Sequence, residues 1–181
     1  KDISFFPKIT EIQLKRQVYV LENDDKFSKK LNGIGIKSRS IRALSESDIN
    51  GILIIAPNTI TEEMSKSDEF RAYAEKGGRI ICLEQDHPFN EPVFPLRATE
   101  HQANFAFPLG YDVLPIKGLN DTDLSNWSGQ TPTAKKVWDP RAVRSWIACG
   151  EELKYSAMIE MAYGYGMIVA SQMQIGAKID I

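Results

Sequence analysis

Phe70 to Asp86 reads FRAYAEKGGRIICLEQD, and its four parts follow in an order that decides the fold. Phe70, Tyr73 and Ala74 fall at i, i+3 and i+4, the spacing of one buried helix face. Gly77 follows as the left-handed residue that closes a helix, and Arg79 to Leu83 is a short apolar strand. The polar run Glu84, Gln85, Asp86 and His87 comes immediately after that strand. In an open parallel sheet the ligand crevice lies outside the carboxyl ends of the strands, so this run occupies the place where such a fold carries its chemistry. A nucleophile at that point needs a sharp turn with small neighbours. Here Cys82 stands between Ile81 and Leu83, two residues early and still within the strand. The turn is therefore expected to lack its nucleophile.

Outward from this stretch the pattern alternates strand and helix. Val18 to Leu21 is a short apolar strand, and Glu22, Asn23, Asp24 and Asp25 are expected to supply an N-cap and first-turn acids for a helix through Leu31. Asn32-Gly33 ends that helix, and Gly35 to Ile41 is a partly alternating strand. Gly51 to Ala56, GILIIA, is a continuous apolar run of the kind a strand buried on both faces requires, and Pro57-Asn58 stops it. Thr61 to Lys76 is expected as one helix. The spacing predicts an α/β fold with a mainly parallel, flavodoxin-like sheet carrying helices on both faces. Val18 to Leu21, Gly51 to Ala56 and Arg79 to Leu83 are its central strands.

The second half is less regular. Prolines among aromatics in HPFNEPVFPL and FAFPLG predict ordered loops packed over the sheet, and Asp121 to Trp127 is expected as a short helix or capped turn. Tyr155 to Ala162 and Met167 to Gln172 flank Tyr163-Gly164-Tyr165-Gly166, which reads as an antiparallel hairpin at the C-terminal end. Residues 1–14 read as a linker or edge segment, and 15–181 as one domain. A start at Lys1 and an end at AKIDI are expected of a piece excised from a longer chain.

Composition narrows the function classes. With 43% hydrophobic and 25% charged residues the 181-residue chain suits a globular fold, and no apolar run approaches the roughly 20 residues of a membrane span. A formal charge of −2 gives no electrostatic basis for nucleic acid as a partner. The two cysteines are expected as free thiols. No Gly-x-Gly-x-x-Gly follows a strand and no phosphate-loop lysine is present, so no nucleotide cofactor is expected. His87 and His101 lack partners at metal-ligand spacing, so no metal is expected either. Class I glutamine amidotransferases carry Gly-x-Cys-x-Gly at the turn and His-x-Glu late in the domain. Here the turn reads Ile81-Cys82-Leu83-Glu84 and MIVASQMQIG contains no histidine, which excludes that triad. No catalytic residue is assigned. Glu22, Asp24, Asn58, Glu84, Gln85, Asp86 and His87 remain as candidate crevice residues.

The succession GILIIAPNTI, FRAYAEKGGRIICLEQ, GLNDTDLSNWSG and IEMAYGYGMIVASQMQIG resembles the amidotransferase-like domain found late in some bacterial multidomain glycoside hydrolases, especially of the family 2 β-galactosidase type. Trimerisation domains of other β-galactosidases are related non-catalytic modules. The resemblance covers roughly residues 15 to 178; its most specific pieces are Gly77 to Ile81, Gly118 to Trp127 and Gly164 to Gln172. The pattern often places His-Pro before the Gly-Leu segment, where this chain has Leu114-Pro115. The resemblance implies a structural or interaction module of a carbohydrate-active hydrolase, secreted or periplasmic, whose partners are other domains of the same parent chain and a possible homo-oligomer. Two alternatives stay open. A carbohydrate-binding module would stack sugar on exposed aromatics, with Trp127, Asn126 and Gln130 the leading contacts and Trp138, Trp146, Tyr111, Tyr163 and Tyr165 further candidates, although the same rings equally serve as packing. An active hydrolase would use Glu84 or Asp86 with His87.

Overall fold

The computed structural model describes residues 14–110, 116, 119, 124, 133–140 and 143–176. Its first half runs β1 (Val18–Leu21), α1 (Lys26–Gly33), β2 (Ser38–Ile41), β3 (Ile52–Ile55), α2 (Glu62–Ser65), α3 (Asp68–Glu75) and β4 (Arg79–Cys82). Its second half is strand-rich: β5 (Ala98–Thr99), β6 (Ala106–Pro108), β7 (Val137–Trp138), β8 (Arg144–Cys149), β9 (Tyr155–Tyr163) and β10 (Gly166–Ser171). These strands join one mixed sheet in the order β2-β1-β3-β4-β10-β9-β7-β5, with β8 paired to β9 and β6. The five strands from β2 to β10 are mutually parallel and the remaining pairings are antiparallel.

The three expected central strands are all internal: β1 lies between β2 and β3, and β4 between β3 and β10. The expected hairpin extends the same sheet. Tyr163 pairs with Gly166 around Gly164-Tyr165, Gly164 has φ 58°, and β10 returns parallel to β4. Burial separates the two sides of each strand. Tyr19 and Leu21 of β1 share a core with Phe70 and Tyr73 of α3, whereas Val18 and Val20 share another with Phe27 and Leu31 of α1.

Four expectations need correction. The helix expected over Thr61 to Lys76 is two helices, because Ser67 accepts the Glu69 N–H at 3.2 Å and starts a second one, while Thr61 caps the first. The strand expected from Gly35 begins at Ser38, since Gly35 sits at φ 88°. Gly51 to Ala56 is not sealed on both faces: Leu53 and Ile55 are buried, but Ile52 and Ile54 are only half-buried. The proline-rich stretch after Asp86 contains two short strands, β5 and β6. It also packs as expected, for Phe89 and Phe94 are fully buried and continue a ring series from Phe70 through Phe89 and Phe94 to Tyr163, with centroids 5.0 to 5.2 Å apart. Residues 1–13 and most of Asp121 to Trp127 lie outside the described residues.

Candidate functional site

β1, β3, β4 and β10 run in one direction, so the loops after Leu21, Ile55, Cys82 and Ser171 meet at one edge of the sheet. Two pockets open there, and Pro57 borders both. One, of about 280 Å³, is bordered by Glu22, Asp24, Lys26 and Lys30. The other, of about 190 Å³, is bordered by Asn58, Glu84, Gln85, Asp86, Lys135 and Gln174. The edge thus brings six of the seven crevice candidates together; His87 borders neither pocket and is exposed.

In the first pocket the expected capping is met by one of the acids, Glu22, and not by Asp25, and no acid lies in the first turn of α1. Asp25 takes the N-cap position with φ 57° and makes no side-chain cap. Its carboxylate instead accepts from Ser40 Oγ and from Arg42, and these two partners hold its pKa below the ordinary value. Asp24 pairs with Lys26 at 2.5 Å, which lowers its pKa in the same way. The cap comes from Glu22. Its buried carboxylate accepts the Phe27 N–H at 2.8 Å and the Ser28 N–H at 3.2 Å. Free N–H groups at a helix start are what a phosphate would use. Here a side chain of the chain itself occupies them.

The second pocket is closed from within in the same manner. Gln85 is buried; its amide donates to Ala56 O at 2.8 Å and Leu83 O at 3.0 Å, and its side-chain oxygen accepts the Ile60 N–H at 2.8 Å. Asn58, at φ 51°, donates its backbone N–H to Glu84 O at 2.9 Å. Glu84 Oε1 accepts the Gly176 N–H at 2.8 Å, whereas Oε2 is buried with no partner among the described residues. Burial pushes the Glu84 carboxyl above its ordinary pKa, offset in part by backbone N–H donors and by Lys135. Neither Glu84 nor Asp86 is hydrogen-bonded to His87 among the described residues. Cys82 is buried in β4, and burial raises its thiol pKa far above the thiolate range. No cluster of three or more His, Cys, Asp or Glu able to hold a metal occurs among the described residues.

Trp138 and Trp146, two of the rings weighed as sugar platforms, are buried in the core. Tyr165, at the hairpin tip, is 92% exposed. Trp127, Asn126, Gln130 and Tyr111 lie outside the described residues. Sequence reasoning did not select Gln172, Gln174 or Lys135. The available signal was the abrupt polar pair Ser171-Gln172 at the carboxyl end of an apolar strand, the same pattern that marked Glu84 and Gln85.

No protein-family model matches this sequence, and no curated protein matches it significantly. Solved structures do match. The chain is similar to a cold-adapted β-galactosidase from Rahnella sp. R3 at 15% identity and a TM-score of 0.55, covering 90% of this chain and 29% of that one. It is similar also to the exo-β-1,4-mannosidase Op5Man5 from Opitutaceae bacterium strain TAV5 at 11% identity and a TM-score of 0.55, covering 90% and 32%. At such identities the likeness is one of fold, and the chain spans about a third of the length of each neighbour.

Proposed function

We propose that this chain is a non-catalytic accessory module with an amidotransferase-like fold, part of a larger carbohydrate-active hydrolase of the family 2, β-galactosidase type. The observation that carries the reading is the carboxyl edge of the sheet. Glu22, Glu84, Gln85 and Gln172 stand where a ligand would be held, and each is bonded to backbone of this chain. A catalytic edge keeps such groups free for substrate. The parallel order β2-β1-β3-β4-β10, with α1 and α3 in separate cores, supports a flavodoxin-like sheet carrying helices on both faces. The two neighbours are glycosidases in which a fold like this one fills about a third of the chain. In this reading the partners are the remaining domains of the same polypeptide.

The purified chain, offered glutamine, an aryl β-galactoside and an aryl β-mannoside, is expected to turn over none of them. Turnover that disappears in Cys82→Ala or Glu84→Gln would overturn the reading. The carbohydrate-binding alternative rests on Trp127, Asn126 and Gln130, and sugar affinity lost in a normally stable Trp127→Ala variant would establish it.

A further inference from the structure

β3, β4 and β10 read as apolar on both faces, yet among the described residues only one face is sealed. Leu53, Ile55, Ile80, Cys82, Ile168 and Ala170 lie in the core that contains α3 and the Phe89–Phe94 loop. On the other face Ile52, Ile54, Ile81 and Val169 are half-buried and Met167 is 42% exposed. Ile52, Ile81, Met158, Met167, Val169 and Trp146 border an apolar groove of about 410 Å³. Parallel strands in mid-sheet are ordinarily covered on both sides. None of these three is an edge strand, so an added strand has no free backbone to pair with here.

We propose that this groove docks one amphipathic helix, carrying an aliphatic stripe flanked by carboxylates, from another part of a longer polypeptide. The inference rests on the accessory-module reading. Three observations select this occupant. The four strands β3, β4, β10 and β9 place their axes across about 14 Å, a width that seats one helix of about 10 Å diameter. Arg79 borders the groove, exposed and without an ion pair among the described residues, so this rim favours an acidic partner. Solved chains with this fold continue for about twice its length again, which supplies the polypeptide. Met158 and Met167 give the groove side chains that repack around an incoming stripe.

The test uses the whole 181-residue chain with ¹³C-methyl methionine and, as probe, a synthetic helix-forming peptide of about 14 residues bearing Leu at i, i+3, i+4 and i+7 with Glu on the flanks. Saturable shifts are expected at Met158 and Met167, with Met64 and Met161 of the opposite core unmoved. A Lys-flanked peptide is expected to bind several-fold more weakly, Met167→Glu to weaken binding about tenfold, and Arg79→Glu to reverse the flank preference. Both substituted residues are exposed, and circular dichroism verifies that the variants fold. Absence of saturable shifts, equal binding of the two peptides, or shifts that follow protein concentration without peptide would overturn the proposal, the last by assigning the face to a second copy. Turnover assays on the same sample keep the two readings apart: turnover defeats the accessory module, whereas a silent Met158 and Met167 with no turnover defeats docking alone.

Discussion

The backbone N–H of Gln85 donates to the Gln172 side-chain oxygen at 3.0 Å, joining the loop after β4 to the end of β10 across 87 positions. With its own amide bonded to Ala56, Leu83 and Ile60, Gln85 ties three strand ends together. Gln85→Leu keeps the approximate volume and orphans each of those buried groups, so it is expected to cost about 2 to 3 kcal/mol. Gln172→Leu orphans fewer and should cost about 1 to 2 kcal/mol. Urea midpoints at unchanged m-value measure both. A Gln85→Leu midpoint equal to that of the unsubstituted chain would show that the latch adds nothing.

Glu22 caps α1 from outside the helix. Glu22→Ala leaves the Phe27 and Ser28 N–H groups without their acceptor and is expected to cost about 1 to 2 kcal/mol. Amide exchange should quicken in α1 first, with β4 protected as before. Uniform quickening across the sheet would contradict a local cap.

Glu84 makes stability depend on pH with a definite sign. Burial raises its folded pKa above the ordinary 4.5, so the folded state holds the proton more tightly than the unfolded chain. That contribution is complete below 4.5 and is lost as pH rises through the folded value. Glu84→Gln stays neutral while its side-chain oxygen can still accept from Gly176. Its stability relative to the unsubstituted chain should therefore climb between acid and neutral pH. A difference that stays flat or falls would remove the strained carboxylate from the account.

The thiols give a kinetic check. Cys82 is buried and its pKa is raised; Cys149 is fully buried and its thiol is pushed up to about 12. Neither should react with a disulfide reagent at pH 8 except through unfolding, so labelling should follow global stability. Cys82→Ala should cost on the order of 1 kcal/mol through a small cavity. Rapid labelling of native Cys82 would reopen the question of a nucleophile.

The internal strands were legible because GILIIA and RIICL are too short for buried helices and are bounded by proline, asparagine and glycine. Burial of Cys82 was legible for a related reason, since Ile81 and Leu83 leave no room for a strained turn. Other features depend on distance in space. Nothing near Gln85 announces Gln172, and an apolar strand cannot disclose whether a cover for its second face exists within the same described chain. The break at Ser67 was masked by good helix formers on both sides, where one side-chain acceptor decided the outcome. Which residue of Glu22 to Asp25 caps the helix was not legible, because Asn23 and two acids follow Glu22, each closer to the helix start.

The hairpin tip tests whether the glycines near it act through shape or through backbone freedom. Tyr165 N–H donates to Glu75 O at 3.2 Å and Met167 N–H to Gly78 O at 3.2 Å, so the turn rests directly on the end of α3. A Cβ at Gly166 would collide with the carbonyl oxygens of Gly78 and Ala74, which are backbone and cannot swing aside. Gly77 differs: its φ is 107°, but a Cβ there meets its nearest neighbour only at 3.8 Å. Gly166→Ala must part the hairpin from the helix and is expected to cost about 3 kcal/mol. Gly77→Ala has room and carries conformational strain of about 1 to 2 kcal/mol. Thermal or urea unfolding of the two variants orders them, and a Gly77→Ala loss equal to or greater than that of Gly166→Ala would mean that conformation, and not close approach, fixes this corner of the sheet.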